Sequence, residues 1–114
     1  MSNNTGIEAW LSSLNHPVAE TAFPPRDATG KVNKITAPFI VYLDKEEVSG
    51  SDDENFIISH DLTIEYYTKD KNTSDLRELI INSGLEFTSV TSWLATEQLY
   101  MTVFELSDVI IEKI

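Results

Sequence analysis

Apolar and polar side chains alternate along residues 56–68, the longest regular pattern in the chain. Ile58 and Leu62 fall on one side of this pattern, and Ser59 and Thr63 fall on the other. Successive side chains of a strand point to opposite faces, so a period of two is typical of a half-buried antiparallel strand. The pattern therefore predicts a strand with one face in a core and the other in water.

A second apolar run, FIVYL at residues 39–43, has no polar side and predicts a central strand that is covered on both faces. The stretch between the two runs, residues 44–55, is acidic and carries Gly50 near its middle. Glycine, serine and aspartate together are typical of turns. We therefore expect the two strands to form one long hairpin, with residues 44–55 as the connection.

Two segments have the apolar spacing of helices, about residues 6–14 and 73–83. In the second segment, Leu76 and Ile80 are four residues apart and so share one side of a helix. Gly84 follows, where a glycine suits the left-handed end of a helix. Each segment is therefore predicted to be a helix with an apolar stripe.

Shorter strand-like runs lie at residues 18–23, 86–94 and 99–106, and the last two predict a second hairpin. Residues 24–37 have no such pattern and are predicted to be a long surface loop. The order of elements predicts an α+β fold. We expect a mostly antiparallel, twisted sheet of four to five strands with both helices packed on it.

Residues 1–114 are expected to form a single domain, with residues 1–5 frayed. No apolar run approaches the roughly 20 residues that span a bilayer. The first residues lack the basic and apolar regions of a secretory signal, so we expect none. The absence of cysteine excludes disulfides, thiolate metal sites and cysteine nucleophiles.

The net charge of −11 argues against partners with an anionic surface. Binding to the outside of DNA or to an anionic membrane requires clustered lysine and arginine, which this chain lacks. Half of the predicted hairpin connection is acidic, through Asp44, Glu46, Glu47, Asp52, Asp53 and Glu54. The predicted loop at residues 24–37 is basic by contrast, through Arg26, Lys31 and Lys34.

The letters of a hydrolase triad occur at Ser59, His60 and Asp61, but neighbouring strand residues point to opposite faces. His60 is therefore predicted to point away from both neighbours, into the sheet or an interface. His16, beside Pro17, is interpreted as a residue that ends the first helix. The acidic stretch lacks the register of an EF-hand loop, and the four glycines are isolated. We expect no enzyme activity, no cofactor, and no catalytic or metal-binding residues.

Several segments, taken in order, resemble a family of small tail proteins of long-tailed phages and prophages, described as tail terminator, tail completion or minor tail proteins. The resembling segments are PFIVY, TIEYYT, a Lys-Asp turn, an acidic helix and a strand EQLYMTVFE, at Pro38–Tyr42, Thr63–Thr68, Lys69–Asp70, Asp75–Ile80 and Glu97–Glu105. The longer link before Pro38 departs from the family pattern and leaves the subtype open.

The resemblance implies a virion protein, made in the host bacterial cytoplasm, that assembles as a ring, commonly a hexamer. The ring would end the tail tube and join it to the head–tail connector protein, acting by binding. DNA would pass through without specific binding, and no membrane would be involved.

Two hypotheses about the ring follow from charge. The acidic hairpin would face the lumen or the tube, because a like-charged lumen does not hold passing DNA. The basic loop would contact an acidic neighbouring subunit. Both segments are equally consistent with plain solvated loops. The alternative functions are a head-completion protein bound to the portal, and a small acidic inhibitor that mimics DNA.

Overall fold

The structure is a computed structural model that describes residues 5–49 and 57–110. Along the chain the elements are α1 (Thr5–Ser12), β1 (Val18–Glu20), β2 (Phe39–Ser49), β3 (Ile57–Thr68), α2 (Ser74–Asn82), β4 (Thr88–Leu94) and β5 (Leu99–Val109). This composition confirms the predicted α+β fold. Residues 24–37 contain no helix or strand of their own apart from an isolated bridge between Arg26 and Val32.

The five strands form one mixed sheet in the order β1-β2-β3-β5-β4. β1 runs parallel to β2, and all the other neighbours are antiparallel. The sheet is therefore mostly antiparallel, as predicted. β3 lies at its centre, with β2 paired along one side and β5 along the other.

Side chains at alternate positions of the three central strands make the core, because they share the face on which both helices pack. Directly paired residues such as Tyr42, Ile64 and Phe104 meet in one row across this face. The helices contribute the stripes predicted from their spacing. Twelve residues make the buried cluster: Ile7, Leu11, Ile40, Tyr42, Leu62, Ile64, Tyr66, Leu76, Ile80, Phe104, Leu106 and Val109.

At the ends of α2, the C-terminal glycine behaves as the sequence predicts but the N-cap residue does not. Thr73 occupies the N-cap position but makes no capping hydrogen bond with its side chain. Asp75 accepts the N–H of Leu76 at 2.7 Å instead, so a first-turn carboxylate satisfies this free backbone donor. Gly84 adopts the predicted left-handed conformation, with φ of 75°, and its N–H is bonded to the carbonyl of Ile81 at 3.0 Å.

The prediction was wrong about the extent of β2. The strand does not end at Leu43 but continues to Ser49, pairing residue by residue with β3 as far as Ile57. The connection is therefore shorter than residues 44–55, and its residues 50–56 lie outside the described part, as do residues 1–4. The expected cover on both faces holds for the middle of the apolar run, because Ile40 and Tyr42 are 0% exposed on the helix side and Val41 is 8% exposed on the other, whereas Leu43 is 41% exposed.

Adjacent isoleucines on α2 provide a test of this one-sided core. Ile80 is 0% exposed and Ile81 is 55% exposed. We expect Ile80→Ala to lower the free energy of unfolding by about 2–5 kcal/mol, because it removes buried apolar volume and leaves a cavity. The same substitution at Ile81 should change it by less than about 0.5 kcal/mol. Urea unfolding of both variants measures the difference, and equal effects would contradict the packing.

Candidate interaction surface

The second face of the sheet has an apolar centre, and the described part of the chain places no helix over it. We call this the open face. Its side chains alternate with those of the core, so pairing aligns them in rows across the strands. The apolar members of the two middle rows are Phe39, Tyr67, Met101, Ala19, Val41, Val103 and Val90. Their exposure ranges from 8% at Val41 to 67% at Val90. An antiparallel sheet with one face in water normally places polar residues there, so this composition is typical of a surface that binds another protein.

A hollow of about 380 Å³ opens on this face, between the segment that follows β1 and the β4–β5 turn. Its floor is aromatic, because the rings of Phe39 and Tyr67 stack with 4.6 Å between their centres. Phe23 meets Phe39 edge to face at 5.7 Å and forms one wall. The shape and lining suit an apolar or aromatic side chain from a binding partner.

Glu65 is the one charged residue of the row formed by Val41, Val103 and Val90, and it is not free. The Tyr67 hydroxyl donates to its Oε1 at 2.8 Å. Burial, together with this bond, raises the pKa of Tyr67 to about 12. The phenol therefore stays protonated and able to donate at physiological pH. The bond satisfies one carboxylate oxygen and holds the side chain beside the aromatic ring, while the negative charge remains on the open face.

Past Asp44, β2 and β3 continue as a ribbon that pairs Lys45–Ser49 with Ile57–Asp61, and β5 stays beside β3 as far as His60. Glu46 and Glu47 are exposed there and point to opposite faces. Val48, 63% exposed, is directly paired with Ile58. The ribbon thus combines acidic residues with an exposed apolar pair. Three further members of the predicted acidic set, Asp52, Asp53 and Glu54, lie outside the described residues.

Asp44 does not belong to an exposed acidic surface, and its assignment there was wrong. Its side chain is 1% exposed and so is that of His60. The Nδ1 atom of His60 lies 2.7 Å and 2.9 Å from the two carboxylate oxygens of Asp44. The prediction failed because it placed Asp44 in a turn, whereas β2 continues through it with the side chain facing the core. His60 points away from Ser59 and Asp61, as expected from strand geometry.

The basic loop is ordered around one carboxylate. Asp27 Oδ1 accepts the N–H and hydroxyl of Thr29 at 2.9 Å and 2.6 Å, and the N–H of Lys31 at 3.1 Å. The bond from the Thr29 hydroxyl is the main reason why the pKa of Asp27 is lowered. Arg26 donates to the carbonyl of Gly30 at 2.9 Å. The predicted basic residues, Arg26, Lys31 and Lys34, are all exposed.

A polar cluster on the helix side joins three segments. Asp75 on α2 accepts from Nε2 of His16 at 3.0 Å and from the Tyr66 hydroxyl at 2.9 Å and 3.0 Å. Burial would raise the pKa of Asp75, but the bonds from His16 and Tyr66 outweigh it and lower the pKa. Burial, assisted by Asp75, raises the pKa of Tyr66 above its ordinary value. His16 thus does more than end α1, because it joins the α1–β1 connection to α2.

The described residues were also compared with two further kinds of feature, a metal-binding cluster and a membrane-spanning helix. In the described part of the chain, no group of three or more histidine, cysteine, aspartate or glutamate residues is arranged to hold a metal ion. None of the helices described there has the length and apolar character needed to cross a membrane. The expected lack of enzyme activity stays a prediction.

Comparisons of the chain with protein-family models, with curated proteins and with solved structures gave no match. The resemblance to phage tail proteins therefore rests on the sequence segments alone.

Sequence reasoning missed the open face, although two signals for it were present. The run at residues 39–43 is apolar on both faces, and the strand at residues 99–106 carries Met101 and Val103 on the side opposite Phe104. Together they indicate two apolar faces in a sequence that predicts two helices to cover them. Two short helices can cover one face of a five-stranded sheet, so a comparison of their number with the two apolar faces would have predicted an uncovered face.

The polar cluster predicts a pH dependence. The folded state holds the pKa of Asp75 below its ordinary value of 3.8. Ionised Asp75 therefore stabilises the fold at neutral pH, and this contribution is lost as the pH falls through the lowered pKa. We expect Asp75→Asn to lower the urea midpoint at neutral pH, and the difference from the parent protein to shrink below about pH 4.

Glu78→Gln is the control for this experiment, because Glu78 lies on the same helix and is exposed. It should leave the urea midpoint nearly unchanged at both pH values. A difference between Asp75→Asn and the parent protein that is the same in acid and at neutral pH would contradict the role of the ionised carboxylate.

Proposed function

We propose that this protein is a structural component of a phage virion. It forms a ring, a hexamer by the resemblance, that ends the tail tube and joins it to the head–tail connector protein. Its partners are further copies of the chain, the tail tube protein and the connector protein, and DNA passes through without specific binding. The protein acts by binding rather than by catalysis.

The observation that best supports this proposal is the open face. Val90 is 67% exposed on this face and Phe39, Tyr67, Met101 and Val103 are partly exposed, and subunit interfaces are where such apolar side chains are buried. The hollow beside Phe23 is a concave site on this face that a side chain of a neighbouring subunit can enter. A protein whose role is assembly needs such surfaces, whereas an acidic inhibitor that mimics DNA binds its basic partner through carboxylates.

The distribution of charge is consistent with head-to-tail contacts in a ring. The ribbon presents Glu46 and Glu47, and the ordered loop presents Arg26, Lys31 and Lys34. A ring forms when one patch of each subunit meets a different patch of the next. Opposite charges on two separate segments favour that arrangement over repulsion between identical acidic surfaces.

The two alternatives are less well supported. A head-completion protein would use similar surfaces, so it differs from the proposal in its partner rather than in its structure. A DNA mimic displays carboxylates in rows on one ordered face. Here Glu46 and Glu47 point to opposite faces of the ribbon, and Asp44 is buried against His60.

Light scattering on the purified protein, followed by electron microscopy with purified tail tubes, tests the proposed role. We expect a hexamer-sized species, either in solution or on the tube, and density for the protein at the tube end. Binding to the portal without binding to tubes would favour head completion. Binding to neither, in a protein that nevertheless inhibits a DNA-binding enzyme, would overturn the proposal.

The basic loop has its own test. Reversing the charges of Arg26, Lys31 and Lys34 together should weaken ring formation by about tenfold or more, because attraction to acidic neighbours would become repulsion. Lys69→Glu, at another exposed lysine outside the loop, is the control and should leave assembly unchanged. Intact assembly of the triple variant would dismiss this contact.

A further inference from the structure

Strand β4 is a free edge of the sheet and lacks the features that protect such edges. Proteins usually shorten, charge, bulge or interrupt a free edge, because its unpaired N–H and C=O groups pair with other strands. β4 is seven residues long, TSVTSWL, with no charged residue and no proline. It pairs with β5 along its whole length without a register shift, and the described sheet has no strand on its other side.

Other free edges of the same sheet are protected. β1, at the opposite side, is only three residues long. β2 has no neighbour on the β1 side beyond Tyr42, and its next residues include Lys45, Glu46 and Glu47. Compared with the edges at β1 and β2, β4 is therefore the edge of the described sheet that is least protected against pairing with another strand.

The side chains of β4 are also unusually open. Val90 is 67% exposed on the open face, and Trp93 is 52% exposed on the helix side. Trp93 packs against Tyr100 of β5 at 4.8 Å between ring centres, but the helices leave both faces of β4 open to contact. A strand added beside β4 would satisfy its backbone and reduce the exposure of Val90 and Trp93 together.

The net charge of the chain indicates which molecule pairs with the β4 edge. Each chain carries a net charge of −11, so two copies repel wherever their acidic surfaces meet. The uncharged β4 edge is a place where two copies can approach with little repulsion. A basic partner would gain more by binding an acidic surface. We propose that two copies of this chain pair antiparallel along β4, giving a two-fold dimer with one continuous sheet.

A two-fold axis through Thr91 lets all seven residues of β4 pair, because Thr91 is the middle residue of Thr88–Leu94. Thr91 then lies opposite Thr91 of the second copy, a favourable cross-strand pair. Trp93 lies opposite the second copy's Ser89, whose small side chain leaves room for the indole. The same patch serves both copies, as a two-fold interface requires.

The salt dependence of the dimer separates it from the proposed ring contact. Glu86 and Glu97 flank β4, so the antiparallel register brings Glu86 of each copy towards Glu97 of the other at both ends of the paired strands. Screening of these charges and of the net charge should strengthen the dimer as salt rises. A contact between the basic loop and an acidic neighbour should weaken instead. The dimer therefore does not rest on the proposed function, and either can fail without the other.

Sedimentation velocity over a range of protein and salt concentrations tests the pairing. We expect a species of twice the 12.8 kDa chain mass, favoured by protein concentration and by salt. Val90→Lys should weaken it by about tenfold or more, because it brings two cations together at the paired edge. Ile81→Lys adds the same charge at an exposed site on α2 and should leave the dimer unchanged.

Cross-linking tests the pairing without altering its charge. Because the chain has no cysteine, Thr91→Cys gives a single thiol, and a short bismaleimide should join two copies as a covalent dimer. Ile81→Cys is the control and should remain monomeric. The proposal would be overturned by a strict monomer at all concentrations, by an oligomer insensitive to Val90→Lys, or by equal cross-linking of the two cysteine variants.

Discussion

One-sided burial of the sheet is the constraint on which the rest of this structure depends. The helices supply four fully buried apolar residues, Ile7, Leu11, Leu76 and Ile80, and all four join the cluster on the same face of the central strands. The described helices supply no such residues to the second face, where Phe23 packs on Phe39, or to β4, where Val90 is 67% exposed. The helices fill the core on one side of the sheet and leave apolar side chains uncovered on the other side and along β4. These uncovered side chains are the surfaces available for binding.

The buried pair of His60 and Asp44 marks where this core ends. Both side chains are 1% exposed and hydrogen bonded across β2 and β3, at the point where the two strands continue past Asp44 as the ribbon. An unpaired buried polar group costs about 1–3 kcal/mol, so each residue requires the other in place. The pair thereby fixes the two strands at the base of the ribbon, while Val48 and Ile58 beyond it stay exposed.

The fold could be predicted from the sequence wherever the pattern is local. The alternation in β3, the helical spacing of Leu76 and Ile80, and the role of Gly84 each depend on neighbours along the chain. The length of β2 could not be predicted, because residues 45–49 are mostly polar and are held in a strand by pairing with residues 57–61. The contact of Asp44 with His60 depends on that pairing and was missed for the same reason.

The open face and the β4 edge differ from these local features, because each is defined by what does not pack on it. Alternation indicates which residues share a face but not whether another layer covers that face. The two surfaces also lie at right angles: a strand added to β4 extends the sheet sideways and leaves the open face free. Pairing through β4 by two-fold symmetry stops at two copies, whereas contacts between unlike patches continue around a ring. A single chain can therefore use its edge for pairing and its open face for another partner without competition between them.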